Sequence, residues 1–245
     1  MESKWSRFTA GSTNSTVSVN TTAGFSIVSY AGTGSNATIG HGLGVAPKMI
    51  IIKNRSQSNG WITGHEKLDA TNPWHKYVEL NSTNGVADLN TIWNDTAPTN
   101  TLFTVGTEAA VNNNGNNFIA YCFAEKKGYS KFGSYTGNGN ANGTFIYTGF
   151  KPAFIIIKKS SATQSWTIQD NKRNPINNGG DMKALKADTS GAEEDEASHR
   201  IDYLSNGFKM RYNWEGNNQS GATYIYMAFA ENPIVGSNNI PATAR

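Results

Sequence analysis

The chain has 245 residues, enough for one large domain or two of ordinary size. Only 16% are charged and 37% hydrophobic, while asparagine reaches 30 and glycine 25, which excludes long helices and points to β-structure broken by tight polar turns. The net charge of +3 is scattered, with no Lys/Arg run and no long apolar stretch, so neither a nucleic-acid partner nor a membrane span is predicted.

Residues 1–24 are rich in Ser, Thr and Asn and carry no signal-peptide pattern. From its own contacts such a segment cannot offset the entropy of ordering, about 1–2 kcal/mol per residue. It is therefore predicted to be an N-terminal assembly arm held by neighbouring chains. Trp5, Phe8, Val17 and Val19 would be its anchors, and Thr16-Val17-Ser18-Val19 alternates as an added strand does.

Next, Phe25, Ile27 and Tyr30 mark a first strand, followed by the glycine turn Gly32-Thr33-Gly34 and a short strand near Ile39. Pro47 opens a continuous apolar strand at 49–53, and a strand led by Trp61 follows. Further strands are predicted at 77–80, 102–105 and 117–124.

The same order then returns. Tyr30, Gly32 and Gly34 recur as Tyr135, Gly137 and Gly139; Pro47 and Ile50-Ile51-Ile52-Lys53 recur as Pro152 and Ile155-Ile156-Ile157-Lys158; Gly44 and Trp61 recur as Gly149 and Trp166. All are 105 residues apart, and the closing segment Phe123-Ala124-Glu125 recurs 106 residues later as Phe229-Ala230-Glu231. Repeated short strands with turns between them predict an all-β fold of two tandem β-sandwich, jelly-roll-like units. The predicted boundaries are an arm at 1–24, a first unit at 25–127, a second at 128–233 and a C-terminal tail at 234–245. Trp61 and Trp166 are expected at equivalent buried positions. The acidic run Glu193-Glu194-Asp195-Glu196 reads as a solvated loop or one short helix.

The segments GHGLGVAPKMIIIKNR (40–55), AYCFAE (120–125), KFGSYTGNG (131–139) and AFAENP (228–233) resemble a domain family of unknown function found in virion proteins of marine tailed bacteriophages. The resemblance covers residues 25 to 233. It implies a structural component of a tail or fibre that adheres to neighbouring virion proteins or host-surface glycans, localised to the virion. Capsid decoration and polysaccharide degradation are the alternative roles.

No catalytic machinery is predicted. The four histidines form no His-x-x-x-His pair or Cys/His cluster, so no metal is expected, and no cofactor. The single cysteine, Cys122, lies in an apolar strand and reads as a small buried hydrophobe. The glycine turns lack the strand–loop–helix context of a phosphate site. Glu125 and Glu231 occupy equivalent strand ends and read as structural. Bulky residues found in only one copy are free to serve a partner. Trp74, Trp93 and Trp214, with Tyr212 beside the last, are the candidate surface contacts for other virion proteins, a homo-oligomer or carbohydrate.

Overall fold

The computed structural model describes residues 5–173, 177 and 179–232. It is all-β, with 42% strand and 6% helix, and divides into two compact units. The first comprises residues 1–80 and 86–125; the second comprises 81–85 and 126–245.

In the first unit the strands are β1 (Ser6–Phe8), β2 (Ser15–Asn20), β3 (Phe25–Ala31), β4 (Ala37–Gly40), β5 (Met49–Asn54), β6 (Ile62–His65), β7 (Lys76–Glu79), β8 (Ala87–Asp88), β9 (Leu102–Val105) and β10 (Asn117–Phe123). Two single-turn helices, α1 (Asn90–Trp93) and α2 (Ala109–Asn112), interrupt them. One antiparallel sheet runs β1-β2-β3-β10-β5-β6-β7-β8, and β4 pairs with β9 in a second. Alternation decides what faces inward. Val28 lies opposite Ala120, which lies opposite Ile52, and Tyr30 lies opposite Phe118. These side chains meet Ile39 and Phe103 of the smaller sheet in one buried cluster. Met49 and Ile51, on the other face of β5, are buried as well.

The second unit contains β11 (Ser130–Thr136), β12 (Phe145–Tyr147), β13 (Pro152–Lys159), β14 (Thr167–Asp170), β15 (Met182–Ala184), β16 (Glu194–Glu196), β17 (Ile201–Leu204), β18 (Gly207–Met210) and β19 (Thr223–Ala230). Its sheets run β11-β19-β13-β14 and β12-β18-β17, with β15 and β16 as a separate hairpin. Tyr135 stacks on Tyr224 at 5.0 Å, and the edge of Tyr226 meets Phe208 at 5.4 Å. Gly133 is glycine because the Tyr226 ring crosses it: a Cβ there would come within 2.6 Å of the phenolic oxygen.

Three expectations change. Residues 9–24 do not form an arm apart from the first unit, because β2 pairs with β3 along its whole length, Ser15 with Tyr30 through Asn20 with Phe25. Val17 is buried in that core and Phe8 packs against it, whereas Trp5 and Val19 are exposed. The ordering entropy is met by the edge of β3, a partner within the same unit. The acidic run is neither helix nor free loop. Glu194–Glu196 forms β16, paired with β15, while Arg173 and Lys183 hold Glu193 at 2.7 and 3.1 Å and Lys186 holds Glu194. Trp166 is fully buried, but Trp61 is half-buried, stacked on Tyr121 at 6.3 Å. The predicted tail at 234–245 lies outside the described residues.

Because Val17 sits in the core, Val17→Ala is expected to cost about 2 kcal/mol by urea unfolding. Deleting residues 1–22 should unfold the first unit; a truncated chain that melts like the full one would return this segment to the status of a passive tail.

Candidate functional site

Both glycine turns are densely hydrogen-bonded. In the first, the amide N–H groups of Gly32 and Gly34 donate to Asn116 O and Asn112 O, each at 2.8 Å. That of Thr33 donates to the side-chain oxygen of Asn112 at 2.8 Å. The Asn112 Nδ2 donates to Ser35 O at 2.6 Å and Gly106 O at 2.7 Å. Below the turn, the Tyr30 hydroxyl donates to Val111 O at 2.6 Å. The amides a phosphate would need are therefore consumed internally, and a Cβ at Gly32 would lie 2.2 Å from Asn113 O. The second turn is bonded in the same fashion. Gly137 and Gly139 donate to Ala222 O and Asn218 O, Asn138 to Asn218 Oδ1 at 3.1 Å, and the Tyr135 hydroxyl to Asn217 O at 2.6 Å. Asn218 Nδ2 donates to Asn140 O and Tyr212 O, each at 2.9 Å. Burial raises both tyrosine pKa values well above 10, so both hydroxyls remain donors. Asn112 and Asn218 escaped the sequence reading, although the shared Asn-x-x-Gly pattern at 112–115 and 218–221 carries them.

Several titratable groups are also occupied. His41 is buried, with Nε2 donating to Thr99 O at 3.2 Å and Nδ1 accepting from the Leu43 amide at 3.2 Å; burial lowers its pKa and keeps it neutral. Cys122 is buried in mid-sheet, and burial pushes its thiol up to about 12. Among the described residues no group of three His, Cys, Asp or Glu could hold a metal, and no helix is long and apolar enough to cross a membrane. Glu231 is bonded by Lys172 and Asn171. Lys158 is fully buried in the second unit. Its ammonium donates to Thr83 O at 2.9 Å and Gln164 O at 2.6 Å, and desolvation lowers its pKa to about 8.

The four candidate surface aromatics separate. Trp74 and Trp93 are core residues, 5% and 1% exposed, packed edge to face at 5.3 Å. Both rings lie over Gly64, where a Cβ would approach them within 2.5–2.7 Å, and Trp93 Nε1 donates to Lys76 O. They are thus removed from the contact surface: a glycine in β6 leaves the space that two indoles fill. Trp214 is half-buried against the His199 ring at 4.7 Å, and Tyr212 is exposed. The exposed aromatics that the sequence did not single out are Phe145 and Tyr147, 44% and 63% exposed on β12. They alternate with the buried Ile146, which is the signal that could have found them.

A family model described as a domain of unknown function, DUF7483, matches residues 3–233, and the chain belongs to that family. No curated protein and no solved structure matches it.

Asn112→Ala or Asn218→Ala should each cost about 2–3 kcal/mol by urea unfolding, since each strands a buried carbonyl and frees a turn. A loss under about 0.5 kcal/mol would mean that the amide does not hold the turn. Lys158 yields a pH signature. Its folded pKa of about 8 lies below the usual 10.5, so between these values the unfolded state binds more protons and stability rises with pH. Lys158→Met should flatten that rise; equal slopes for variant and wild type would contradict the assignment.

Proposed function

We propose that this chain is a bacteriophage virion structural protein, in the tail or a fibre, that adheres to neighbouring virion proteins or to host-surface glycans and carries out no catalysis. The observation that carries the reading is the placement of Phe145, Tyr147 and Tyr212 on the outside of the second unit. Rigid exposed aromatics supply contact area at small entropic cost and are common anchors for protein and sugar partners. The motifs quoted from the sequence resemble virion proteins, which supports the location. Support for a non-catalytic role comes from the bonded glycine turns, the neutral His41 and the inert Cys122 thiol.

In the same reading the two units are copies of one β-sandwich. The tyrosine–carbonyl and asparagine–turn bonds support this, recurring at spacings of 105 and 106 residues with the same atoms. So does the lysine bond, from Lys53 Nζ to Asn59 O at 2.8 Å and from Lys158 Nζ to Gln164 O at 2.6 Å.

Mass spectrometry of gradient-purified particles should find this chain at a stoichiometric level, and antibody labelling in cryo-electron microscopy should place it on the tail. Labelling of the head would instead identify a capsid decoration protein; absence from purified particles would sink the virion reading.

A further inference from the structure

The outer edge of β12 has a bonding pattern that matches itself. Thr148 N–H donates to Asn206 O at 3.0 Å and Met210 N–H to Thr144 O at 3.0 Å, so residues 144, 146 and 148 bond toward β18. By antiparallel alternation, the amide and carbonyl groups of Phe145 and Tyr147 point the other way. β12 ends its sheet, and among the described residues no backbone partner meets these groups. In the first unit the outer edge of β4 is closed by its own chain: Thr13 N–H donates to Thr38 O at 3.1 Å, and Thr38 N–H donates to Ser12 Oγ at 2.9 Å. A Cβ at Gly11 would sit 2.4 Å from Thr38 O, so that closure is tight.

We propose that β12 pairs antiparallel with β12 of a second copy of this chain, about a two-fold axis at Ile146. In that register Phe145 faces the partner's Tyr147 and Tyr147 faces the partner's Phe145. Each pair exchanges two backbone hydrogen bonds, because the outward groups of these two residues are the ones that meet. Both side chains of a pair lie on the outer face, where cross-strand aromatic pairs add stabilisation of about 0.2–1 kcal/mol each. A two-fold interface must be self-complementary, and this edge is.

Charge does not oppose the pairing. β12 itself is uncharged. The nearest cation in the strand rows is Lys209 on β18, opposite Phe145 and bonded to Asn142 Oδ1 at 2.6 Å. The partner's Lys209 would lie three strand spacings away, about 14 Å, beyond the roughly 8 Å screening length at physiological salt. Three residues bury far less than the roughly 1,200 Å² of a standard stable interface, so the pairing is weak and concentration-dependent. It suits copies already held side by side, where local concentration is high.

The inference stands apart from the virion reading, since a chain that stays monomeric would remove this pairing while particle analysis still decided the location. Sedimentation equilibrium of the full chain should show the average mass rising between roughly 10 μM and 1 mM. Over the same range, hydrogen exchange should slow at the Phe145 and Tyr147 amides and not at Ile146. Tyr147→Pro removes one outward N–H and none of the bonds to β18, and should weaken association at least tenfold. Tyr147→Ala keeps the backbone, loses only the ring pairs, and should weaken it less. Val45→Ala, at an exposed position of the first unit, should leave it unchanged. A monomer at 1 mM, or a dimer whose Phe145 and Tyr147 amides exchange as fast as in the dilute chain, overturns the proposal even if the proline variant fails to fold.

Discussion

Each unit depends on one buried arrangement: an asparagine side chain that bonds a glycine turn, with a tyrosine hydroxyl capping the adjoining carbonyl. Taking an amide out of water costs several kcal/mol unless its donors and acceptor are satisfied. Asn112 meets that constraint by bonding Thr33 and Ser35 of the turn and Gly106 after β9, three points on two segments. The turn must then carry glycine, because its backbone passes within contact distance of residues 112–114. The strands leading into and out of the turn, β3 and β4, belong to different sheets, so the bonded turn also fixes how the sheets face each other across the core.

Around that arrangement the cores are filled by different means. In the first unit Gly64 of β6 makes room for Trp74 and Trp93. In the second the β14 residue 105 positions later is Gln169, whose amide donates to His199 O at 2.7 Å. Val28 and Ala120 pair in the first unit where Gly133 and Tyr226 pair in the second. A small residue beside a large one preserves the volume, which is what close packing demands. Asn217 of the second unit, 106 residues after the fully buried Val111 of the first, is fully buried as well.

The core strands of both units were legible because alternation and the Ile-rich runs depend only on local side chains. What stayed hidden depended on distant partners. The Ser/Thr-rich residues 15–20 look disordered alone, yet they gain a strand's bonds from the edge of β3. Trp74 lies in a Pro-Trp-His turn that reads as exposed, and only the glycine across the core in β6 reveals where its ring goes. The acidic run is solvated, as it reads, with Glu193, Asp195 and Glu196 exposed; its pairing as β16 and its contacts with Arg173, Lys183 and Lys186 are what the sequence hides. Of the candidate contacts, Tyr212 was legible as exposed, whereas Phe145 and Tyr147 show in the sequence only as a three-residue alternation about Ile146, a faint signal in so short a strand.

The lone cysteine gives the first unit an internal clock. Cys122 sits at the centre of the eight-stranded sheet between Ser26 and Ile50, fully enclosed, with a thiol held protonated at any ordinary pH. A thiol-trapping reagent reaches it only when β10 separates from its neighbours, and the second unit, having no cysteine, contributes nothing to the signal. The rate of trapping in native buffer thus measures the opening frequency of one half of the molecule, with no mutation and no attached probe.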